Sequence, residues 1–391
     1  MKDAVIVDAI RTPVGRAHKD KGWLRTVRPD DMVVHLFKSI FPRNPRVDPG
    51  QVEEVMIGCA NQSGPQGGPG LARICWLMTG YPLHVAANTI EMQCASAMAA
   101  IHHSARAIIL GDGEVYLAGG VESMSMVPMG SGYEPNNKIA DFFNPYELPM
   151  GMTAEKVARK YGISREDMDR FSLESHQKAV KAQEEGKFKD EIIPIEVTYE
   201  DGSTRVIDRD QGPRKDTSIE KLSSLQPAFL PPDQSAGITA GNSSPLNDGA
   251  SLVLLMSRDK AKELGYKSAL KIISMAHAGV DPTEMGLGPI PATRKALERA
   301  RLKLDKIDLI EINEAFASQS LYCSRELKFD MSKVNVNGGA IAHGHPLGNS
   351  GSRIVVTLFH EMKRRNARYG LATLCVGFGQ GAATVMELIE P

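Results

Sequence analysis

The feature that most constrains the fold is an order of strand-like and helix-like segments that occurs twice along the chain. Near the N-terminus, short apolar runs such as AVIVDAI, VEEVMIG and GEVYLAGG alternate with helical patterns. The C-terminal third repeats the order through ALKIISMAHAG, IDLIEIN, VNVNGG and LATLCVGFGQGAATVMELI. Such alternation predicts βαβ units and a mainly parallel sheet. We therefore predict an α/β protein made of two copies of one unit, with little residue-level identity between the copies.

A different region separates the two copies. It begins with the turn-rich ESMSMVPMGSGYEPNN, continues through polar helical patterns over 153–161 and 164–185, and ends in a charged, proline-bearing stretch. Ser164 and Asp167 predict a capping box at the second of these helices. DGASLVLLMS, from Asp248, is typical of a strand that returns to the first half. The predicted domains are 1–118 with 244–268 for the first half, 119–243 for an inserted loop domain that caps the core, and 269–391 for the second half.

Charge and composition exclude several classes of protein. The 391 residues are enough for about two or three domains. The 46 basic and 47 acidic residues leave a net charge of -1, which argues against a nucleic-acid surface and a polybasic membrane anchor. No segment reaches the length of a membrane span. The five cysteines are widely spaced without a C-x-x-C pair, so they indicate free thiols in a reducing compartment. We expect a cytoplasmic protein with no nucleic-acid or membrane partner.

Cys94 stands at the junction between a strand-like segment and the helical pattern ASAMAAIHHSARAIIL. Met98, Ile101, Ala105 and Ile108 mark the buried face of this helix. A helix N-terminus presents free N–H groups and partial positive charge, which lowers the pKa of a thiol and favours the thiolate. A buried cysteine is more often a small core residue. The junction nevertheless makes Cys94 a candidate nucleophile.

Two histidines, His343 and His345, stand in the glycine-rich loop AIAHGHPLGNSG of the second copy. The loop precedes a predicted helix, as the Cys94 junction does in the first copy, so a neutral imidazole of His345 could take the proton of Cys94. A metal site would need further Cys, His or Asp ligands at suitable spacing, and none accompanies the pair. A phosphate-binding P-loop would need a lysine after the glycines. We favour a Cys/His pair and expect His343 only to pack.

Three further motifs allow structural and functional interpretations. CVGFGQGA matches the G-x-G-x-x-A of a dinucleotide-binding turn, but only nine residues follow Ala382, which leaves no room for the rest of that fold. We interpret it as a tight hairpin whose backbone N–H groups approach a ligand, with Cys375 at its edge. Asn313, in NEAF, and Ser244, in TAGNSSPLNDGAS, would be a helix cap and a turn residue if neither has a chemical role.

Together these motifs resemble the thiolase family. Cys94 before its helix, NEAF, GGAIAHGHPLGNSG and CVGFGQG occur in the order of that family and cover nearly the whole chain. RTPVG, GGVESMS, MGMTAEKVA, SHQKAV, TAGNSSPLNDGAS and AGVDPTEMGLGPIPA resemble further family motifs. Each motif is weak alone, whereas all of them in register are specific. The resemblance implies a five-layered αβαβα fold of two α/β halves, with the loop domain over the entrance.

The resemblance also implies an acyl-enzyme mechanism in two half-reactions. Cys94 would be the nucleophile, His345 the base that activates it, and Cys375 the acid/base for the acetyl carbon or the incoming coenzyme A (CoA) thiol. An enolate formed next to a carbonyl requires an oxyanion site, which His345 and a water held by Asn313 would provide. The backbone N–H groups of Cys94 and Gly377 would form a second oxyanion site at the thioester. CoA is then a substrate, and neither a tightly bound cofactor nor a metal is expected.

The substrate contacts implied by the resemblance surround the CoA pantetheine and the acyl group. They are Ser244, Met150, Met285, Ala315 and Phe316, with Arg214 beside the adenine. Because the chain is nearly neutral, we expect its contacts to the phosphates to come mainly from backbone and water.

Departures from the family pattern bear on the substrate. Ala95 follows the cysteine where the family commonly has glycine, Pro149 stands where biosynthetic members usually carry histidine, and His343 replaces a usually apolar residue. Pro149 and the short loop after VESMSMVPMG favour a 3-ketoacyl-CoA thiolase of fatty acid β-oxidation, whereas Ala95 adds a methyl group that bears on the acyl pocket. The alternative is an acetoacetyl-CoA thiolase that condenses two acetyl-CoA molecules. A decarboxylating ketoacyl synthase would need a different catalytic set, and a non-enzymatic acyl-CoA binder would need no reactive groups. The family further implies a homodimer or homotetramer and allows a β-oxidation partner subunit.

Overall fold

The computed structural model describes residues 2–67 and 70–391, so Met1, Gly68 and Pro69, which fall within the first predicted half, lie outside it. The strands are β1 (Ala4–Arg11), β2 (Gly15–Arg16), β3 (Glu54–Gly58), β4 (Ala86–Ile90), β5 (Val115–Ser123), β6 (Ile195–Thr198), β7 (Thr204–Ile207), β8 (Asn247–Ser257), β9 (Ala269–Gly279), β10 (Leu309–Ile312), β11 (Tyr369–Val376) and β12 (Gln380–Ile389). The α-helices are α1 (Pro29–Arg43), α2 (Leu71–Thr79), α3 (Ser96–Leu110), α4 (Met150–Tyr161), α5 (Arg165–Glu184), α6 (Ile219–Ser223), α7 (Arg258–Glu263), α8 (Pro289–Ala300), α9 (Ala317–Leu327), α10 (Ala340–His343) and α11 (Ser350–Arg365).

The large sheet is mixed, so the prediction of a mainly parallel sheet is wrong. Its strands lie in the order β10-β11-β12-β9-β1-β8-β5-β3-β4. β3 is parallel to β4 and β5, and β10 is parallel to β11. β8 and β12 are antiparallel to both of their neighbours on this path. The reason lies in the connections: β12 follows β11 through a tight turn, and β8 follows the long inserted region, so neither arrives through the crossover helix that parallel pairing requires.

The strand order shows the duplication. In the first half the order is β4-β3-β5-β8-β1, and in the second half it is β10-β11-β12-β9, so that β3, β5, β8 and β1 correspond to β10, β11, β12 and β9. The counterpart of β4 would be the strand expected from VNVNGG. In the structure this segment makes a single parallel bridge, from Val334 to Ile310, and then turns. The expectation of a full strand there is therefore wrong.

The two halves form five layers. β1 illustrates the arrangement, because alternate side chains of a strand point to opposite faces. Val5 and Val7 pack in a cluster with α1 and α2, whereas Ala4 and Ile6 pack in a cluster that holds α3, α11 and strands of both halves. α8 and α9 cover the outer face of the second half. The layers are thus α1/α2, the first group of strands, α3/α11, the second group of strands, and α8/α9, which confirms the predicted αβαβα fold.

The central helices α3 and α11 approach each other closely. Gly351, in α11, lies against α3, and a Cβ at this position would be 2.6 Å from the backbone nitrogen of Met98. Each helix ends at a residue in the left-handed conformation, Gly111 and Asn366, which is a common way to stop a helix. The N-terminal ends of α3 and α11 lie on the same side of the molecule, together with the loops that precede them.

The region between β5 and β8 holds α4, α5, the β6-β7 hairpin and α6. Ser164 caps α5 by accepting a hydrogen bond from the Asp167 N–H at 3.1 Å, and its hydroxyl donates to the Asp167 carboxylate at 2.7 Å. Ser164 is therefore the N-cap residue of α5, as predicted. The Asp167 carboxylate completes the contact by accepting from the Ser164 side-chain hydroxyl. Across the described residues, none of the helices has both the length and the apolar character needed to cross a membrane.

Candidate active site

Cys94 lies in the short 3-10 turn Gln93–Ala95, between β4 and α3. Gln93 has a φ of 47°, in the left-handed region. The Ser96 hydroxyl accepts from the Met92 N–H at 2.9 Å and donates to the Gln93 carbonyl at 2.6 Å. These contacts hold the thiol at the N-terminal end of α3, where Cys94 is 2% exposed. The structure thus places it at a strand-to-helix junction.

His345 lies in a sharply bent loop between α10 and α11. Gly344 has a φ of 116°, and a Cβ there would lie 2.4 Å from Cγ of Asn247, so a larger residue does not fit. Asn247, in β8, accepts a hydrogen bond from the His345 N–H at 2.9 Å and donates through Nδ2 to the Gly15 carbonyl at 2.8 Å. The first half therefore holds the backbone of a histidine from the second half. Sequence reasoning missed Asn247, although it lies within the motif TAGNSSPLNDGAS.

The ring of His345 is oriented by Ser350, the first residue of α11. Nδ1 lies 2.5 Å from Ser350 Oγ, and that hydroxyl donates its proton to the Pro346 carbonyl at 2.8 Å. The hydroxyl must therefore accept from the ring, so Nδ1 carries the proton and Nε2 has the free lone pair. Burial, with a smaller effect from Arg353, lowers the pKa of His345 to about 3. The ring is neutral near pH 7 and can accept a proton at Nε2.

The loops of Cys94 and His345 are neighbours because α3 and α11 pack side by side between the halves. The Cys94 turn packs against the turn Leu347–Asn349, which follows the histidine loop directly. Cys94 and Leu347 belong to the same buried cluster. The loops that carry Cys94 and His345, from different halves of the chain, thus lie next to each other.

A buried carboxylate joins the turn after His345 to the loop that follows β3. Glu122, at the end of β5, accepts hydrogen bonds from the N–H groups of Ala60 and Gly348, both at 2.9 Å, and from the side chain of Gln66. Gly348 belongs to the turn after His345, so this carboxylate fixes that turn to the first half. Sequence reasoning missed Glu122, whose only signal was its place in GGVESMS.

The thiol of Cys94 is neutral in the free enzyme. Burial raises its pKa to about 12, although the N–H groups of Gly377 and of Cys94 itself favour the thiolate. We expected the start of α3 to make this thiol more acidic, and the structure contradicts that expectation. Desolvation of a fully buried sulfur outweighs the nearby dipoles. Cys94 therefore needs a base in order to react, while donors suited to its anion already face it.

Cys375 lies near the end of β11, just before the turn that leads into β12. Burial, and then the neighbouring sulfurs of Cys94 and Cys323, raise its pKa well above the usual value for a thiol. Phe378 and Gly379, in the turn, have φ values of 62° and 79°. The segment is thus a tight hairpin and not a dinucleotide-binding crossover.

Asn313 follows β10 and is fully buried. Its Nδ2 lies 3.4 Å from each ring nitrogen of His345, so it faces the imidazole without a directed bond to either nitrogen. Helix α9 begins at Ala317 with Phe316 as its N-cap residue, so the interpretation of Asn313 as a helix cap is wrong. Among the described residues its Oδ1 has no hydrogen-bond partner, which leaves an acceptor beside the ring.

The apolar residues expected at the pantetheine lie together, in one buried cluster with Cys375. They are Met150, Met285, Ala315 and Phe316. Ser244 joins them, because its backbone N–H donates to the Ala315 carbonyl at 2.9 Å. The structure therefore gathers five positions from four separate segments of the sequence next to the thiol of Cys375.

A cationic cleft opens beside this cluster. Arg16, Arg214 and Lys221 supply three cationic side chains, against the single carboxylate of Asp216. Ile341 lines the cleft and also belongs to the cluster with Cys375, so the two are continuous. Sequence reasoning named only Arg214. Arg16 and Lys221 were missed because no local pattern connects them.

The structure gives no support to a metal site. Within residues 2–67 and 70–391, no three His, Cys, Asp or Glu side chains are grouped so that they could hold a metal ion. Nδ1 of His343 instead lies 3.0 Å from the Asp210 carboxylate, and Nδ1 of His345 faces Ser350.

The two α/β halves meet where the loops of a buried cysteine and a buried histidine pack together, an arrangement that suits the acyltransferase class of enzyme. Family models described as the thiolase N-terminal domain and the thiolase C-terminal domain match residues 4–259 and 266–388. The chain therefore belongs to the thiolase family, which confirms the resemblance found in the sequence.

Similar proteins match along the full length of the chain. A 3-ketoacyl-CoA thiolase of Aliivibrio fischeri is 48% identical over 390 residues, which are 99% of this chain and 100% of the relative. A 3-ketoacyl-CoA thiolase of Photobacterium profundum is also 48% identical, over 100% of both chains. The crystal structure of the Bacillus anthracis acetyl-CoA acetyltransferase superposes with a TM-score of 0.90 at 41% identity and covers 100% of this chain and 99% of that one.

Proposed function

We propose that the chain is a 3-ketoacyl-CoA thiolase of fatty acid β-oxidation, which uses CoA to cleave a 3-ketoacyl-CoA into acetyl-CoA and a shortened acyl-CoA. The observation that carries the proposal is the neutral pair of Cys94 and His345, contributed by the two halves, with Cys375 buried beside it. The named relatives support the same reaction. CoA acts as a substrate, and no resident cofactor is required.

In the first half-reaction, Cys94 attacks the C3 carbonyl while its proton passes to Nε2 of His345. The N–H groups of Cys94 and Gly377 stabilise the oxygen anion that forms at C3. The bond between C2 and C3 then breaks, leaving an acyl group on Cys94 and an enolate on acetyl-CoA. The new Nε2–H of His345 and a water held by Asn313 stabilise the enolate oxygen. Cys375 gives its proton to C2, and acetyl-CoA leaves.

In the second half-reaction, the thiolate of Cys375 takes the proton of an incoming CoA thiol. The CoA sulfur attacks the acyl group on Cys94, and the shortened acyl-CoA leaves. Cys94 recovers its proton from His345, so every group returns to its starting state. Negative charge develops on two different oxygen atoms, the C3 oxygen of the substrate and the enolate oxygen of acetyl-CoA. The reaction therefore needs two oxyanion sites.

The pantetheine is proposed to lie along the cluster of Met150, Met285, Ala315 and Phe316, beside Ser244. The phosphates and the adenine are then placed in the cationic cleft. Arg214 and Arg16 can neutralise phosphate charge there, which backbone and water alone would do less well.

Synthesis of acetoacetyl-CoA from two acetyl-CoA molecules is the second candidate activity. The fold similarity to the Bacillus anthracis acetyl-CoA acetyltransferase favours it. The same residues would serve, in reverse order. Relative rates on acetoacetyl-CoA and longer 3-ketoacyl-CoA substrates decide between the two.

We further propose that the chain is divided into the domains 1–118 with 244–268, 119–243, and 269–391. The chain forms a homodimer or homotetramer, because β4 ends the sheet with an unpaired edge and Leu77 and Leu83 are exposed nearby on α2 and the loop that follows. The protein is cytoplasmic, in keeping with five free, buried cysteines, and a β-oxidation partner subunit could join it.

The test is mass spectrometry of the protein after mixing with acetyl-CoA. We expect one acetyl group on Cys94 and none on a Cys94→Ala variant, whose thiolysis should fall by at least about a thousandfold. Cys375→Ala should still acquire the label but should not cleave 3-ketoacyl-CoA. An acetyl label on another residue, or thiolysis by Cys94→Ala, would overturn the assignment.

A further inference from the structure

The mechanism above leaves His343 unused, although it is buried two positions before the proposed base. Its Nδ1 lies 3.0 Å from Asp210 Oδ2, and its Nε2 lies 2.9 Å from the carbonyl oxygen of Asn337. A carbonyl oxygen can only accept, and an ionised carboxylate can only accept. Both ring nitrogens must therefore donate, which requires a protonated ring.

Asp210 is ionised. Although burial opposes ionisation, the charge of Arg11 holds the pKa of its carboxyl well below the usual range. Arg11 donates two hydrogen bonds to Asp210, at 2.7 and 3.0 Å, and the Val14 N–H donates a third at 2.9 Å. No proton is needed on the carboxylate to satisfy these donors.

The buried cluster around Asp210 holds further charges. Arg11 also donates to Glu191 at 2.7 Å, and the buried guanidinium of Arg353 interacts electrostatically with both Asp210 and Glu191. Arg11, Asp210, Glu191 and His343 are at most 3% exposed. Buried charges are tolerated when they are paired, so this network is held together by ion pairs and hydrogen bonds.

The ion cluster of Arg11, Asp210 and Glu191 makes contacts on both sides of the segment that carries His345. His343 ends α10, on one side of the catalytic loop. On the other side, Thr357 in α11 donates to Glu191 at 3.2 Å. Gly212 lies against the same segment, since a Cβ there would be 2.1 Å from the Ala342 carbonyl. The loop with His345 is thus held on one side by His343 and on the other by Thr357, and both of these residues bind the same ion cluster.

We propose that His343 is a positioning residue: as an imidazolium held between Asp210 and the Asn337 carbonyl, it fixes the loop that directs Nε2 of His345 toward Cys94. This inference rests on the proposed function for the role of His345. An apolar side chain at this position would leave Asp210 with less charge compensation and would leave the carbonyl without this donor.

The surroundings of His343 contain the other groups that act on its charge. Asp210 faces it directly, and Arg11 and Glu191 lie behind Asp210. On the side of the cationic cleft stands His176, whose pKa is lowered to about 4 by burial and by the charges of Arg214 and His343. His176 is therefore neutral near pH 7 and does not compete for the carboxylate. Arg16 and Arg214 stand beyond it.

The test is the rate at which iodoacetamide alkylates Cys94, followed from pH 6 to pH 9 in wild type and His343→Gln. The donor hydrogens of Gln are both on one nitrogen, so its amide cannot bridge the Asp210 carboxylate and the Asn337 carbonyl as the two ring nitrogens do. We expect at least tenfold slower alkylation in the variant, because the loop of His345 is then held at fewer points. An equal loss in His277→Gln would overturn the proposal, because it would indicate a general packing defect.

His277→Gln is the control, because it also removes a histidine nitrogen contact, from the half-buried ring of His277 to His102 at 2.9 Å, away from the site. It should leave the profile unchanged. Asp210→Asn, which keeps the shape and removes the charge, should reproduce the defect of His343→Gln and serves alone if that variant does not fold. A wild-type profile in either folded variant overturns the proposal. Alkylation needs no CoA substrate, so this outcome is separate from failure of the acetyl label to appear on Cys94.

Discussion

At the scale of single residues, the site depends on two neutral groups. The sulfur of Cys94 has its pKa raised to about 12 and the imidazole of His345 has its pKa lowered to about 3, in both cases mainly by burial. In isolation neither group reacts well near pH 7. In the proposed reaction, transfer of one proton from Cys94 to His345 creates the thiolate, so the reactivity of Cys94 depends on the imidazole.

The first prediction concerns His345→Ala. Without the ring, Cys94 has no base, so iodoacetamide alkylation at pH 7 should slow by about 10²–10⁴-fold. The remaining rate should rise steadily with pH toward the ionisation of the thiol itself. Alkylation rates from pH 6 to pH 10 provide the measurement. An unchanged profile would show that the two side chains do not share a proton.

The second prediction concerns Gly344. Ala at this position would meet Asn247 and would be strained by the φ of 116°. The displaced loop should lower kcat by about a hundredfold, the order expected for a shift of about 1 Å at a reacting group. Gly111→Ala is the control, because its φ is 93° and a Cβ there meets nothing within 4 Å. Equal activity of the two variants would contradict the steric argument.

Cys94 and His345 could be proposed from the sequence as reactive residues because each stands at a junction before a helix, and the structure has both junctions. The acidity of the thiol could not, since the helix terminus is a local feature whereas desolvation depends on every layer packed around it. The roles of Asn247 and Glu122 could not be predicted for a similar reason. Their roles come from contacts with loops about a hundred or more positions away, to which no local pattern points.

At the scale of helices and strands, amphipathic patterns located most elements of the core. They failed at VNVNGG, where alternating residues suggested a strand. Asn335 uses its side chain to bond the backbone of Ile312 on both sides, at 2.9 Å each. A side chain thereby replaces the ladder that a strand would have formed, and alternation alone cannot reveal such a substitution.

A third prediction tests the contact between α3 and α11. Gly351→Ala would gain about 1 kcal/mol of helix propensity, but its methyl group would press on the α3 backbone, and overpacking costs about 1–3 kcal/mol. We expect a net loss of stability in urea unfolding together with lower activity. Gly151→Ala, in α4, is the control, since its Cβ would meet the ring of Phe229, which is 44% exposed and can turn away. A Gly351→Ala protein as stable as the control would refute this account.

At the scale of the whole molecule, burial of neutral histidines makes the fold sensitive to acid. The pKa of His345 is lowered to about 3, and burial lowers those of His176 and His277 to about 4. Below an ordinary histidine pKa of about 6.5 the unfolded chain binds protons that the folded chain refuses, so stability falls as the pH falls.

The fourth prediction follows from this linkage. Between pH 7.5 and pH 5, His345 alone should remove about 2 kcal/mol of the free energy of unfolding. Urea unfolding at both pH values provides the measurement. The loss should be smaller in His345→Ala, which no longer has the buried ring. Equal stability of the wild type at both pH values would count against neutral burial of these rings.

The duplicated architecture could be predicted because the order of segments repeats, whereas the strand directions could not. Whether β8 runs parallel or antiparallel depends on the path taken by the inserted region, which the pattern within β8 does not record. The five layers likewise follow from the packing of both faces of the strands, as alternate residues of β1 show.

Within the described residues, the sheet joins the two halves through the pairs Val5–Lys271 and Ile6–Leu270, and the chain joins them through α7. A gene divided in that connection would encode one fragment with the nucleophile and another with its base and the second thiol. Neither product could turn over substrate by itself. Turnover would then depend on the concentrations of both fragments. Enzyme activity would therefore measure the association of the two fragments.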